Sequence, residues 1–139
     1  MARTEVTLVD TNILLDLVTN DPSWADWSQR QLEAAAVRGP LLINDVVYAE
    51  LSVGFLRVEE VDATITAAQV EVAPIPREAL FLAGKAFQLY RAGGGTRSGV
   101  LPDFFIGAHA AVAKVPLLTR DARRYRSYFP TVQLIAPSD

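Results

Sequence analysis

Short apolar runs alternate with longer amphipathic stretches along this 139-residue chain. Val6 to Val9 is a β-branched run that stops at Asp10-Thr11-Asn12, residues that favour turns and helix caps, so it predicts a buried first strand. Ile13 to Val18 continues as a short helix. Asp21-Pro22-Ser23 opens the next, which Trp24, Trp27, Leu32 and Ala35 carry to about Val37 before Gly39-Pro40 ends it. Leu41 to Ile43 is the second strand, Asn44 or Asp45 caps a helix to about Arg57, and a further helix spans roughly Glu59 to Ala68. Val70 to Val72 is the third strand. Pro76 to Arg91 is helical, with Leu80, Ala83, Phe87 and Tyr90 on one stripe. After a loop marked by Gly93-Gly94-Gly95 and Gly99, Pro102 suits the first turn of a helix to about Lys114. Val115 to Thr119 is the fourth strand, Asp121 starts a short helix to Tyr128, and Gln133 to Ile135 is the fifth strand. Strands alternating with helices predict an α/β fold with a parallel sheet covered on both faces and right-handed crossovers.

Composition narrows this picture. The length fits one domain, 1–139, with a core that needs no disulfide or structural metal; the absence of Cys excludes zinc-thiolate sites and thiol nucleophiles. Half the residues are hydrophobic and 21% charged, far from the disordered class, and no repeat or low-complexity tract appears. Val100 to Leu118 is apolar enough to resemble a membrane span, but Asp103 and Lys114 would each cost about 2.5–3.5 kcal/mol near a bilayer centre. Met1 to Glu5 has no signal-peptide core behind it, because Asp10 and Asn12 interrupt the first apolar stretch. The expected location is the cytoplasm.

Four carboxylates stand where a bland reading strains. In a doubly wound sheet, ligands sit beyond the carboxyl ends of the strands where strand order reverses. Asp10 directly follows the first strand and Asp121 lies two residues beyond the fourth. Either alone is readable as an N-cap, worth about 1 kcal/mol. Glu50 shares a helix face with Val47, Leu51 and Gly54; it is a site residue, or a snorkelling or salt-bridged edge residue. Asp103 is the one acid in Leu101–Ala113, a helix apolar nearly all round, and sits in its first turn. Interaction with the helix N-terminus would account for it, but an enclosed helix that begins at a glycine-rich loop usually opens at a crevice. Four converging acids would repel one another unless a cation joined them. Magnesium or manganese fits an all-oxygen donor set in a chain with one His. Such a metal lowers the pKa of a bound water and holds a phosphate oxygen, so the implied chemistry is phosphodiester hydrolysis.

Asp10-Thr11-Asn12, Tyr48-Ala49-Glu50-Leu51, the run Leu101 to Ala110 and Leu118-Thr119-Arg120-Asp121 followed by Tyr125 together resemble the PIN-domain ribonucleases, specifically the VapC-type toxins of type II toxin–antitoxin systems. The likeness covers essentially the whole chain. It implies a three-layer α/β/α domain with strand order 3-2-1-4-5, and a Mg2+- or Mn2+-dependent endoribonuclease neutralised by a cognate antitoxin and acting as a homodimer. Asp10 and Asp103 would be the most direct metal ligands, with Glu50 and Asp121 completing the acidic quartet. Asn12 and Thr119 match polar helpers that orient Asp10 and Asp121. Where some wider PIN nucleases place a further acid after the fourth, this chain has Arg123 and Arg124, which leaves one metal or two open. Transfer RNA and ribosomal RNA are the usual targets in the resembling family.

The formal charge of −3 hides an uneven distribution. Arg91 to Arg126 holds seven basic residues against two acidic, a balance of +5, which leaves −8 for the rest. Phosphate binding needs a local positive surface rather than a basic protein. Arg91, Arg97, Arg120, Arg123 and Arg124 are candidate RNA contacts; for Arg123, Arg124 and Arg126 the other reading is a solvated helix face. Trp24 and Trp27 read as packing residues, with antitoxin or dimer contact as the minority reading. His109, about 600° along the helix from Asp103, reads as a core histidine. Two other classes are carried along. A haloacid-dehalogenase-type aspartyl phosphotransferase needs a second Asp where this chain has Asn12, and an interaction module could keep the fold without turnover.

Overall fold

The computed structural model describes residues 4–138, so the start of the Met1 to Glu5 segment lies outside the described residues. Its elements run β1 (Thr7–Val9), α1 (Thr11–Val18), α2 (Ala25–Arg38), β2 (Leu41–Asn44), α3 (Asp45–Ser52), α4 (Val58–Ala68), β3 (Val70–Ala73), α5 (Arg77–Ala92), α6 (Leu101–Ala113), β4 (Leu117–Leu118), α7 (Arg123–Tyr128) and β5 (Leu134–Ile135). A 3-10 turn at Ser98–Val100 leads into α6. The strands form one parallel sheet in the order β3-β2-β1-β4-β5, flanked by helices as expected for the three-layer α/β/α class.

Strand β1 is the centre of the sheet. Thr7, Leu8 and Val9 are fully buried, which a parallel strand covered on both faces requires. Val9 pairs with Leu118 of β4. The residues one step further, Asp10 and Thr119, therefore emerge side by side beyond the carboxyl edge, at the point where strand order reverses.

Helix boundaries differ from the sequence expectation in two places that bear on the site. Helix α3 ends at Ser52 rather than near Arg57: Asn44 caps its start by accepting from the Val46 and Val47 amides, and the chain turns at Val53-Gly54. Glu50 then lies in its last turn, half-buried beside the fully buried Leu51. Helix α7 begins at Arg123, with Ala122 as its N-cap residue, so Asp121 does not cap it. Instead the Asp121 amide donates to Thr119 Oγ1 at 3.1 Å, which keeps Asp121 in the loop beyond β4.

Helix α6 is the buried helix that its composition predicts; among the described residues no helix is long and apolar enough to cross a membrane. Its Phe104 is fully buried and packs against Phe87, Tyr90, Tyr128 and Phe129, an aromatic cluster joining α5, α6 and the α7 region. Each such pair contributes about 0.5–1.5 kcal/mol beyond area burial. Gly107 makes the close approach possible. The Phe129 ring fills the space where a Cβ would stand, and Tyr125 Cδ1 would lie 3.0 Å from it. His109 is a core residue as read, taking a 3.1 Å hydrogen bond at Nδ1 from the Asn44 amide; burial lowers its pKa.

Candidate active site

A cavity of about 180 Å³ opens at the carboxyl edge of β1 and is lined by Asp10, Thr11, Asn12, Leu15, Glu50, Asp103, Asp121 and Tyr125. All four acids singled out in the sequence thus share one wall-to-wall space, delivered by the end of β1, by α3, by the first turn of α6 and by the loop after β4.

Asp10 is the most constrained of them. It is the N-cap of α1, and its Oδ1 accepts from the Thr11 amide at 2.7 Å. Its Oδ2 accepts from Thr119 Oγ1 at 2.8 Å, from the Tyr125 hydroxyl at 2.9 Å and, more weakly, from Asn12 Nδ2 at 3.4 Å. The cap reading and the site reading therefore coincide in one side chain. Burial pushes the Asp10 pKa up to about 6, against the pull of the Thr119 hydrogen bond, and the nearby Asp103 charge adds to the rise. Asp103 is raised too, by burial first, while Arg124 opposes the shift and Glu50 and Asp121 reinforce it.

Glu50 accepts a 2.6 Å hydrogen bond from Thr11 Oγ1, so it faces the site rather than snorkelling away. Asn12 also bridges to the far side: its Nδ2 lies 3.3 Å from Thr119 Oγ1 and its Oδ1 accepts from the Arg120 amide. Thr11 and Tyr125 also line the cavity and hydrogen-bond its acids, a part that the sequence reading did not assign them. Tyr125 is buried, its hydroxyl pKa lies well above the usual phenol range, and it acts as a donor to Asp10.

Beside this cavity runs a larger groove of about 870 Å³, lined among others by Trp24, Tyr90, Arg97, Arg120, Arg123, Arg124, Arg126 and Tyr128; Asp121 lines both spaces. The structure sorts the candidate arginines. Arg97 and Arg123 line the groove with no ion-pair partner among the described residues. Arg120 is committed elsewhere: its guanidinium clamps the buried Asp16 through hydrogen bonds of 2.8–3.1 Å and lies over the Trp24 ring, while Ser28 also donates to Asp16. Arg124 pairs with Asp103. Arg91 is not among the groove's lining residues and packs over Phe87 instead.

The donor set suits a hard divalent cation: four carboxylates and no soft ligand. A guanidinium already stands in for positive charge at Asp103. Asp103 pairs with Arg124 and Glu50 accepts from Thr11, and among the described residues no three His, Asp or Glu side chains are arranged as a ligand group.

A sheet of this order with acids gathered at its switch point defines a PIN-like α/β/α fold. The PIN-domain family model matches residues 7–129, and the chain belongs to that family. Solved structures share the fold. The VapBC2 structure from Rickettsia felis bound to a promoter DNA fragment aligns at TM-score 0.73 and 20% identity, over 96% of this chain and 99% of that one. DNA-bound VapBC from Salmonella typhimurium aligns at 0.70 and 18%, over 96% and 98%. A toxin–antitoxin complex from Klebsiella pneumoniae aligns at 0.68 and 24%, over 96% and 98%. A search of the curated proteins returned no match.

Proposed function

We propose that this PIN-domain protein is a divalent-metal-dependent endoribonuclease and the toxin of a toxin–antitoxin pair. The observation that carries the reading is the convergence of Asp10, Glu50, Asp103 and Asp121 on one cavity that adjoins an arginine-lined groove. Asp10 and Asp103 would hold Mg2+ or Mn2+, with Glu50 and Asp121 completing the set. The metal would supply the charge that acidifies water and offsets that of the scissile phosphate. The chain's own groups do the positioning. Thr119, Tyr125 and the Thr11 amide fix both oxygens of Asp10, and Thr11 fixes Glu50. Asn12 ties the Asp10 side to the loop that carries Asp121. Arg97 and Arg123 line the groove without an ion-pair partner among the described residues and would bind backbone phosphates. The expected substrates are transfer or ribosomal RNA, in the cytoplasm.

Neutralisation by an antitoxin is supported by the structural neighbours described as VapBC and toxin–antitoxin complexes. A groove of about 480 Å³ lined by Leu14, Leu17, Leu32, Ala36, Phe55 and Ala67 is apolar enough to take a partner's apolar segment, and we place the antitoxin there. The expected assembly of the toxin is a homodimer. The pairing of Asp103 with Arg124, which occupies one of the proposed ligands, is the observation that favours a module without turnover. Purified protein incubated with transfer and ribosomal RNA separates the readings: cleavage with Mn2+, none with chelator and none by Asp10→Asn supports the nuclease, and metal binding without cleavage supports the module.

A further inference from the structure

Arg124 is the feature that the reading above leaves unexplained. It belongs to α7 and lines the groove, yet its guanidinium binds Oδ2 of Asp103, a residue that lines the acidic cavity. Both side chains are partly open, 23% exposed for Arg124 and 32% for Asp103. The pair is not needed to seat the helix, because Tyr125 and Phe129 are already buried against α6.

We propose that Arg124 is a placeholder cation: without metal it neutralises Asp103, and on metal binding it yields that carboxylate and turns back to a phosphate in the groove. This rests on the metal-nuclease reading. Glu50 and Asp121 line the same cavity as Asp103, so its carboxylate is favoured by a cation beside it, and a metal drawn to Asp103 Oδ2 competes with the guanidinium for that oxygen. Arginine suits the exchange, being a permanent cation that binds carboxylate and phosphate with the same donors. A long side chain at the rim can change partner by rotation, with no backbone movement. The consequence is coupling. A phosphate that engages Arg124 removes the competitor for Asp103, so nucleic acid tightens metal binding, and by linkage metal tightens nucleic acid by the same factor. The protein would then load its metal chiefly when RNA is present.

The test is an equilibrium measurement, independent of turnover. Mn2+ affinity is read from the free-Mn2+ electron paramagnetic resonance signal, with and without a short single-stranded phosphorothioate RNA. Wild type is compared with Arg124→Gln, with Arg124→Met to keep the aliphatic stem, and with Lys85→Gln as a control that removes an exposed charge outside both the cavity and the groove. Thermal melts confirm folding. Without RNA, both Arg124 variants should bind Mn2+ about tenfold more tightly, the scale of one charge-assisted hydrogen bond. The control should change less than about threefold, the scale of a weak exposed charge interaction. RNA should tighten Mn2+ binding in wild type and much less in the Arg124 variants. Unchanged or weaker Mn2+ affinity in the Arg124 variants, or an equal gain in the control, overturns the placeholder role and leaves the nuclease reading standing. Absence of Mn2+ binding in every protein overturns both.

Discussion

Replacing Asp10 by Asn should stabilise the metal-free protein at neutral pH, although Asp10 stands at the centre of the proposed site. The reason is its burial. The native pKa of about 6 against 3.8 for the ordinary carboxyl means that the folded protein prefers the protonated acid. Between those values the native state holds a proton that the unfolded chain has released. Stability therefore falls as pH rises through that window and stays at the lower level above it. At 1.36 kcal/mol per pH unit the loss is about 3 kcal/mol. Asn keeps the shape, and its oxygen can still accept from the Thr11 amide, but its NH2 faces the Thr119 and Tyr125 hydroxyls, which must turn to accept. Allowing for that misfit, a net gain of about 1–2 kcal/mol remains, or about 3–8 °C in melting temperature for a domain of this size. Urea melts in chelator should show the gain at about pH 8 and its disappearance near pH 3, below the window. Saturating Mn2+ should reverse the ranking, since metal stabilises only the form that binds it. A variant less stable than wild type at pH 8, or a gain that does not vary with pH, would refute the assignment of Asp10 as a strained buried anion.

Three further outcomes follow from particular contacts. Tyr125→Phe removes one donor from Asp10, so the Asp10 pKa should climb further and the acid limb of Mn2+-dependent RNA cleavage should move to higher pH; an unmoved limb would show that the hydroxyl does not act on Asp10. Arg120→Ala strands the buried Asp16 and should cost about 2–4 kcal/mol by denaturant titration, and adding Asp16→Asn should recover part of it. Ala67→Glu places a charge on an exposed wall of the apolar groove; co-purification with the antitoxin should fail while RNA cleavage by the isolated protein persists, and retained capture would put the antitoxin elsewhere.

The fold was legible because its period changes are clean. β-branched runs such as Val6 to Val9 stop at turn residues, and the charges of Asp103 and Lys114 favoured an enclosed helix over a membrane span for Leu101 to Ala113. The end of α3 was misread: the sequence reading counts Gly54 with the helix face of Val47 and Glu50, yet glycine is a poor helix former, and the turn at Val53-Gly54 ends the helix early. The acids of the cavity stood out for one reason: each is a charged residue in an apolar or strand-edge context. Tyr125 gave no such signal. Set among arginines it reads as the apolar position of an amphipathic helix, and its hydroxyl finds Asp10 across 115 residues of chain. Asp16 and Arg120 were likewise invisible as a pair, being 104 residues apart. Arg124 was read by charge alone as a candidate RNA contact or part of a solvated helix face; its pairing with Asp103 depends on how α7 docks against α6.

The four carboxylates come from positions 10, 50, 103 and 121, on segments that meet only once β1 has taken both neighbours in the sheet. A chain in synthesis thus carries its first acid from the start and its last only after β4 has been made. Under the proposed role, a product that stops short of β4 cannot assemble the centre, and cleavage of the cell's own RNA waits until β4 has paired with β1. Timing of that kind needs no dedicated inhibitor: the order of strands supplies it.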